Sequence, residues 1–287
     1  MLKKIQILCN KIASQKVFWL KPAETDSPSK LFNRRDLLAM VGWSQRLMNF
    51  DNELLKRLSD RRIRGIRNWE YGNLLGYLWK KQNIGNWQVL DVGPGDSTFP
   101  LYLNKLVGHM TTIDYPSPLE KPSRARIAKW KKNGITVDKG SMLELPYEDG
   151  SFDLVTCISV IEHLDDMGNG KQYSYSEFIN RTEKGLAEMA RVVKKGGYLY
   201  ITSDAFVPDL QDVDNWSRKR KPGNKIWSAF RLNDINDVFV KTITKNNLTI
   251  IGRKDYSLKQ LVSDKNRSSY RGRYFSTFAI LVRKNNP

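Results

Sequence analysis

The stretch Val89-Leu90-Asp91-Val92-Gly93-Pro94-Gly95-Asp96-Ser97 decides the fold. It is an apolar strand that runs into a glycine bend, and a helix-compatible run over residues 98–106 follows. Gly93 and Gly95 let the backbone approach a ligand without interference from a Cβ, and the start of the next helix offers unpaired N–H groups. The ligand class is narrowed by what is missing. A hydride-transfer dinucleotide fingerprint needs glycine three positions after Gly95, where Thr98 stands. A phosphate-cradling loop needs a Gly-Lys-Ser or Gly-Lys-Thr ending, and none is present.

Working outward, Asp114 closes the second apolar run, 21 residues beyond Gly93. A carboxylate at that place can accept hydrogen bonds from two ribose hydroxyls. Apolar runs at residues 88–92, 110–114, 135–138, 152–158, 197–202, 248–251 and 274–283 alternate with helical segments. That arrangement predicts an α/β fold with a mostly parallel, seven-stranded sheet and helices on both faces. In such sheets ligands bind beyond the carboxyl ends of the strands. A helix over residues 69–81 leads into the first of these strands.

Composition sets further bounds. The chain has 287 residues, 40% of them hydrophobic and 27% charged, which are the values of a globular protein. The 48 Lys and Arg exceed the 30 Asp and Glu, leaving a formal charge of +18 that biases encounter toward anionic partners. Both ends are basic: residues 1–23 hold five Lys and no acid, and residues 253–287 hold nine Lys or Arg against two Asp. Cys9 and Cys157 are too few for a disulfide framework or a Cys-based metal site. No secretory leader and no 18-residue apolar stretch is visible, so a soluble cytoplasmic protein is expected. Within residues 1–20, Met1, Ile5, Leu8, Cys9 and Ile12 share one helical face with lysines largely off it. This segment is either an accessory helix packed on the domain or a peripheral contact with a membrane surface.

Gly140-Ser141-Met142-Leu143-Glu144-Leu145-Pro146-Tyr147, then Asp149-Gly150-Ser151-Phe152-Asp153-Leu154-Val155, continue the series as loop, turn and buried strand. Glu162-His163-Leu164 follows the fourth strand, and Val193-Lys194-Lys195-Gly196-Gly197 precedes the fifth. In this order, from Val89 through Gly197, the chain resembles class I S-adenosylmethionine-dependent methyltransferases of the small-molecule type. The resemblance implies a Rossmann-like sheet whose last strand is antiparallel, and S-adenosylmethionine as cofactor. It also implies cofactor-binding roles by position. Asp91 would be among the cofactor-binding residues, Gly93, Pro94 and Gly95 would flank the methionine portion, Asp114 would hold the ribose, and Tyr115 would lie against the adenine. Ser141 and Met142 would contact the adenine, and Ile158 and Ser159 would lie beside the transferable methyl. Two positions depart from the family's pattern: Ser97 stands for its third loop glycine, and Ser141 for its usual acid at the adenine.

His163 follows the fourth strand on the pocket side and is the candidate general base or acceptor contact, a role that a hydroxyl acceptor requires. His109, at the other end of the sheet, reads as structural. Relatives that bind a divalent metal use a Glu-x-x-Glu-His pattern, and Ser159 in its first position argues against a metal. Cys157 lies inside an apolar strand and reads as a core residue.

Residues 1–68 read as N-terminal helices and linker, an accessory part or cap, and residues 69–287 as the methyltransferase domain. A substrate insertion at 204–247 carries Arg218-Lys219-Arg220-Lys221, Trp227, Phe230 and Arg231, of which Trp227 and Arg231 are the candidate acceptor-binding residues. The leading reading is methyl transfer to an O or N atom of a small-molecule or glycan-type acceptor, anionic and either phosphorylated or lipid-linked. RNA methylation and a non-catalytic binding protein on the same fold are the alternatives.

Overall fold

The computed structural model describes residues 30–31, 64–79, 81–115, 122–165, 173–206, 230–252, 268–270 and 273–286. The amphipathic segment 1–20, the part of the helical run expected over residues 37–75 that precedes residue 64, the basic run 218–221 and Trp227 lie outside the described residues.

Its elements in chain order begin with β1 (Lys30–Leu31), α1 (Arg64–Leu78), β2 (Gln88–Val92), α2 (Phe99–Leu103), β3 (His109–Asp114), α3 (Arg124–Lys132) and β4 (Thr136–Lys139). They continue with β5 (Phe152–Ile158), α4 (Tyr175–Val192), β6 (Val193–Phe206) and β7 (Phe230–Arg231). A helical run follows, made of α5 (Leu232–Asp234), a π turn (Ile235–Val240) and α6 (Lys241–Lys245). β8 (Leu248–Ile250), β9 (Ser268–Tyr270) and β10 (Arg273–Lys284) complete the chain.

The strands form one sheet in the order β1-β10-β6-β5-β2-β3-β4, with β7 on β6, and β8 and β9 on β10. β4, β3, β2, β5 and β6 are mutually parallel, and β10 runs antiparallel to β6 from Phe275 opposite Phe206 to Arg283 opposite Tyr198. All seven expected strands are present, the last antiparallel, and three short strands of two or three residues join them. The boundary expected between residues 68 and 69 falls inside α1.

Side chains alternate across this sheet, as the two-residue period of a strand requires. Leu90, Val155, Cys157, Leu199, Ile201, Phe278, Ile280 and Val282 point to one face, where Phe178, Leu186 and Met189 of α4 and Ile235, Phe239 and Ile243 of the helical run cover them. Val89, Leu154, Tyr198, Tyr200, Ala279 and Leu281 point to the other, under Trp69, Leu74, Leu75 and Leu78 of α1, Phe99 of α2 and Trp130 of α3. Two apolar cores, one per face, leave the strands' carboxyl ends as the place where polar groups converge.

Candidate cofactor and acceptor site

The glycine bend has a defined shape. Gly93 has φ 70° and Gly95 φ 54°, the left-handed region that glycine enters at no steric cost. At Gly93 a Cβ would sit 2.3 Å from Val160 Cγ1, whereas at Gly95 it would meet nothing within 4 Å. The first glycine is therefore demanded by packing, and the second leaves an open face. The Gly93 N–H donates to the Ile113 carbonyl at 2.8 Å, and the Gly95 N–H donates to Asp114 Oδ2 at 3.1 Å. The bend and the strand-end carboxylate meet at one opening, beyond the carboxyl ends of β2 and β3. Tyr115, 42% exposed, is next along the chain.

Neighbouring elements hold the bend. Asp96 accepts from the Ser123 hydroxyl at 3.0 Å and faces the buried Arg126 guanidinium at 3.6 Å, which ties the loop to the start of α3. Ser97 Oγ accepts from the Phe99 N–H at 3.0 Å and pairs at 3.0 Å with the hydroxyl of Tyr71, whose ring stacks on Phe99 at 4.3 Å. Serine at the family's third glycine position thus serves as the link between the loop and α1.

A second polar set lies on the α1 face of the sheet. Cross-strand partners Asp91 and Thr156, Ile158 and Thr202, and Asp204 and Thr277 fall at alternate positions near the strand ends. Asp91 accepts from the Thr156 hydroxyl at 2.6 Å; burial lifts its carboxyl to about 7, against the Thr156 hydrogen bond and with Asp114 adding to the rise. Asp204 accepts from the Thr277 hydroxyl at 2.7 Å and is pushed to about 6, first by burial. Glu70 of α1 is fully buried. Its Oε1 accepts from Ser159 Oγ at 2.5 Å and from Thr202 Oγ1 at 2.6 Å, and its Oε2 takes Arg67 Nη1 at 3.0 Å. Burial opposes the charge of Arg67, but attraction to Glu70, then Tyr71, Glu162 and Asp204, holds it protonated.

The expected site residues divide as follows. Asp91, Gly93, Pro94, Gly95, Asp114 and Tyr115 cluster at the ends of β2 and β3, and Ile158 and Ser159 end β5 beside them in the sheet. The Ser141 hydroxyl accepts from the Leu143 N–H at 3.1 Å. Met142 packs its side chain toward α4, where a Cβ on Gly185 would lie 3.5 Å from it. His163 sits in the short 3-10 turn Ile161–Asp165 after β5, half-buried, its N–H donating to the Val160 carbonyl at 2.9 Å. Arg231 is exposed and lies over the Tyr175 ring at 4.4 Å; its strand pairs with Ala205 and Phe206 on the edge of β6 that β5 occupies up to Thr202, because β10 lines the other edge. His109 pairs with Thr136 at the start of β3, at 3.1 Å, and Cys157 is a buried free thiol.

Arg67, Glu70 and Tyr71 are the residues that sequence reading missed. An Arg-x-x-Glu-Tyr run on a helix reads as ordinary helix polarity, and only the sheet beneath it shows what it touches. Thr156 on one strand, and Thr202 with Asp204 on the next, are the local signal that these strand ends are polar on the α1 face.

A parallel sheet with a glycine bend after its central strand and an acid after the next defines a class, the nucleoside-binding Rossmann-like domains. Residues 90–201 match the model of the family described as a methyltransferase domain. It is 33% identical over 119 residues to norajmaline N-methyltransferase of Rauvolfia serpentina, covering 41% of this chain and 36% of that protein. It is 28% identical over 132 residues to demethylmenaquinone methyltransferase of Listeria monocytogenes serotype 4a (strain HCC23), covering 44% and 49%. Among solved structures, the YcgJ protein of Bacillus subtilis aligns over 76% of this chain and 99% of that one, with 16% identity and a TM-score of 0.49. The chain spans between 36% and 49% of the length of these two curated relatives. Among the described residues, no helix is long and apolar enough to cross a membrane.

Proposed function

We propose that the protein transfers a methyl group from S-adenosylmethionine to an O or N atom of a small-molecule acceptor. The observation that carries this reading is the 3.1 Å hydrogen bond from the Gly95 N–H to Asp114. It joins the open glycine face to the strand-end acid, and the residues present fit an adenosine-bearing ligand. When bound, S-adenosylmethionine would supply an electrophilic methyl on a positively charged sulfonium; the acceptor's lone pair would form the new bond to that carbon and the C–S bonding pair would stay on sulfur. The chain's part is to hold and align. Gly93 and Gly95 admit the methionine portion, Asp114 accepts from the ribose hydroxyls, and Tyr115 offers a ring to the adenine. Ile158 and Ser159 form the wall beside the methyl. Alignment of this kind supplies about 7–11 kcal/mol of a transfer barrier. His163, one short turn beyond that wall, takes the proton where the acceptor is a hydroxyl.

An anionic group on the distal part of the acceptor is supported by the net charge of +18 and by exposed Arg231 over Tyr175. The cofactor reading is tested by calorimetry. Wild type binds S-adenosylmethionine, and Asp114→Ala weakens binding by about 30- to 100-fold, the worth of charge-assisted hydrogen bonds to one carboxylate. No binding by wild type would end the reading. Incubation of the protein and cofactor with a cell extract, followed by a search for a product heavier by one methyl, then identifies the acceptor.

A further inference from the structure

Two charged side chains of α1 reach the strand ends beside the proposed methyl position, and alignment of the substrates does not by itself account for them. Glu70 accepts two hydroxyl hydrogen bonds, from Ser159 on β5's end and Thr202 on β6, and pairs with Arg67. Arg67 Nη1 also lies 3.4 Å from the Ile158 carbonyl, to which it donates. Between them these two residues hold both members of the wall, Ile158 and Ser159. Ser159 needs holding: its φ of 48° is a left-handed conformation in a residue with a Cβ, and such conformations persist where the surroundings over-determine them. Its N–H is held from the other side, donating to the Thr202 carbonyl at 3.0 Å. Moving a carboxylate out of water is costly, and an apolar helix face would cover the sheet without that cost.

We propose that the Arg67–Glu70 pair is a positioning element at the methyl end of the cofactor pocket, and that its charge balance sets how strongly the pocket prefers cationic S-adenosylmethionine over neutral S-adenosylhomocysteine. The inference rests on the methyl-transfer reading above. The two ligands differ by one methyl and one positive charge, so the ratio of their affinities reports the field at the sulfur and little else. Glu70→Gln keeps the side chain's shape and leaves Arg67 without its carboxylate, making the local charge more positive by one. Arg67→Met makes it more negative by one. Loss of a merely structural contact weakens both ligands in parallel, and cannot send the ratio in opposite directions from the two ends of one ion pair.

The experiment is calorimetry of the full chain with each ligand separately, at one ionic strength, with thermal melts as the folding control. Glu70→Gln is expected to move the affinity ratio toward S-adenosylhomocysteine by about tenfold, and Arg67→Met to move it toward S-adenosylmethionine. Glu70→Asp, which keeps the charge, retains the wild-type ratio even where both affinities fall. Where Glu70→Gln does not fold, Arg67→Met alone carries the sign test. Binding of both ligands with the ratio unmoved, or moved the same way by both variants, overturns the proposal. Failure of wild type to bind either ligand instead overturns the methyl-transfer reading.

Discussion

Gly93 has no room for a side chain, and the reason is a single neighbour. A Cβ there would lie 2.3 Å from Val160 Cγ1, and the φ of 70° adds backbone strain. Gly93→Ala is therefore expected to destabilise the fold by about 2 kcal/mol or more. Val160→Ala in the same chain removes the clash and restores the part that is steric, leaving about 1 kcal/mol of strain. Urea unfolding of the single and double variants measures both parts; a double variant no more stable than Gly93→Ala would show that Val160 is not the obstacle. At this scale the glycines and Asp114 were legible from sequence, because a bend and an acid at fixed spacing follow from local chemistry. That Gly93 is required by packing and Gly95 by an open face was not, since Val160 lies 67 residues away and reaches the bend only through the pairing of β2 with β5.

At the scale of elements, local rules explain α4 well. Ser174 and Glu177 form a capping box, in which the Ser174 hydroxyl accepts from the Glu177 N–H and the Glu177 carboxylate accepts from the Ser174 N–H. Ser174→Ala is expected to cost about 1 kcal/mol, read as a lowered urea midpoint with an unchanged slope. The other end of α4 is anchored by Arg191, whose guanidinium donates to the Tyr147 and Leu145 carbonyls at 2.7 and 2.9 Å and to the Glu188 carboxylate. This fork pins the loop between β4 and β5, the loop carrying Ser141 and Met142. The departure at Ser97 has its reason here too: its hydroxyl links the loop to Tyr71 of α1 and caps the Phe99 N–H. A sequence read without its fold shows a missing glycine there, because the partner is 26 residues upstream on another element.

Across the whole molecule, the buried acids on the α1 face set a pH dependence. Asp91 is lifted to about 7 from an ordinary value of 3.8 in the unfolded chain. Between those values the native state binds more protons than the unfolded state, so this contribution is full below about 4 and declines as pH rises through about 7. Asp91→Asn keeps an oxygen to accept from Thr156 and removes the titration. The variant should lose less stability than wild type between about pH 5 and about pH 8, by on the order of 1–2 kcal/mol. Equal losses from the two proteins in urea unfolding at both pH values would place the titrating group elsewhere.

The sequence by itself determined the mostly parallel sheet, the run of apolar strands along the chain, the glycine bend and the acid that follows it. Each depends on residues close together in the chain, where periodicity, steric freedom and turn chemistry act. Only the tertiary structure decided that α1 lies over the strand ends with Arg67, Glu70 and Tyr71 turned toward them. The contacts of Glu70 with Ser159 and Thr202 join residues 89 and 132 positions apart. Such contacts exist because stacking a helix on a sheet brings side chains together by face and register, and no local propensity encodes that meeting.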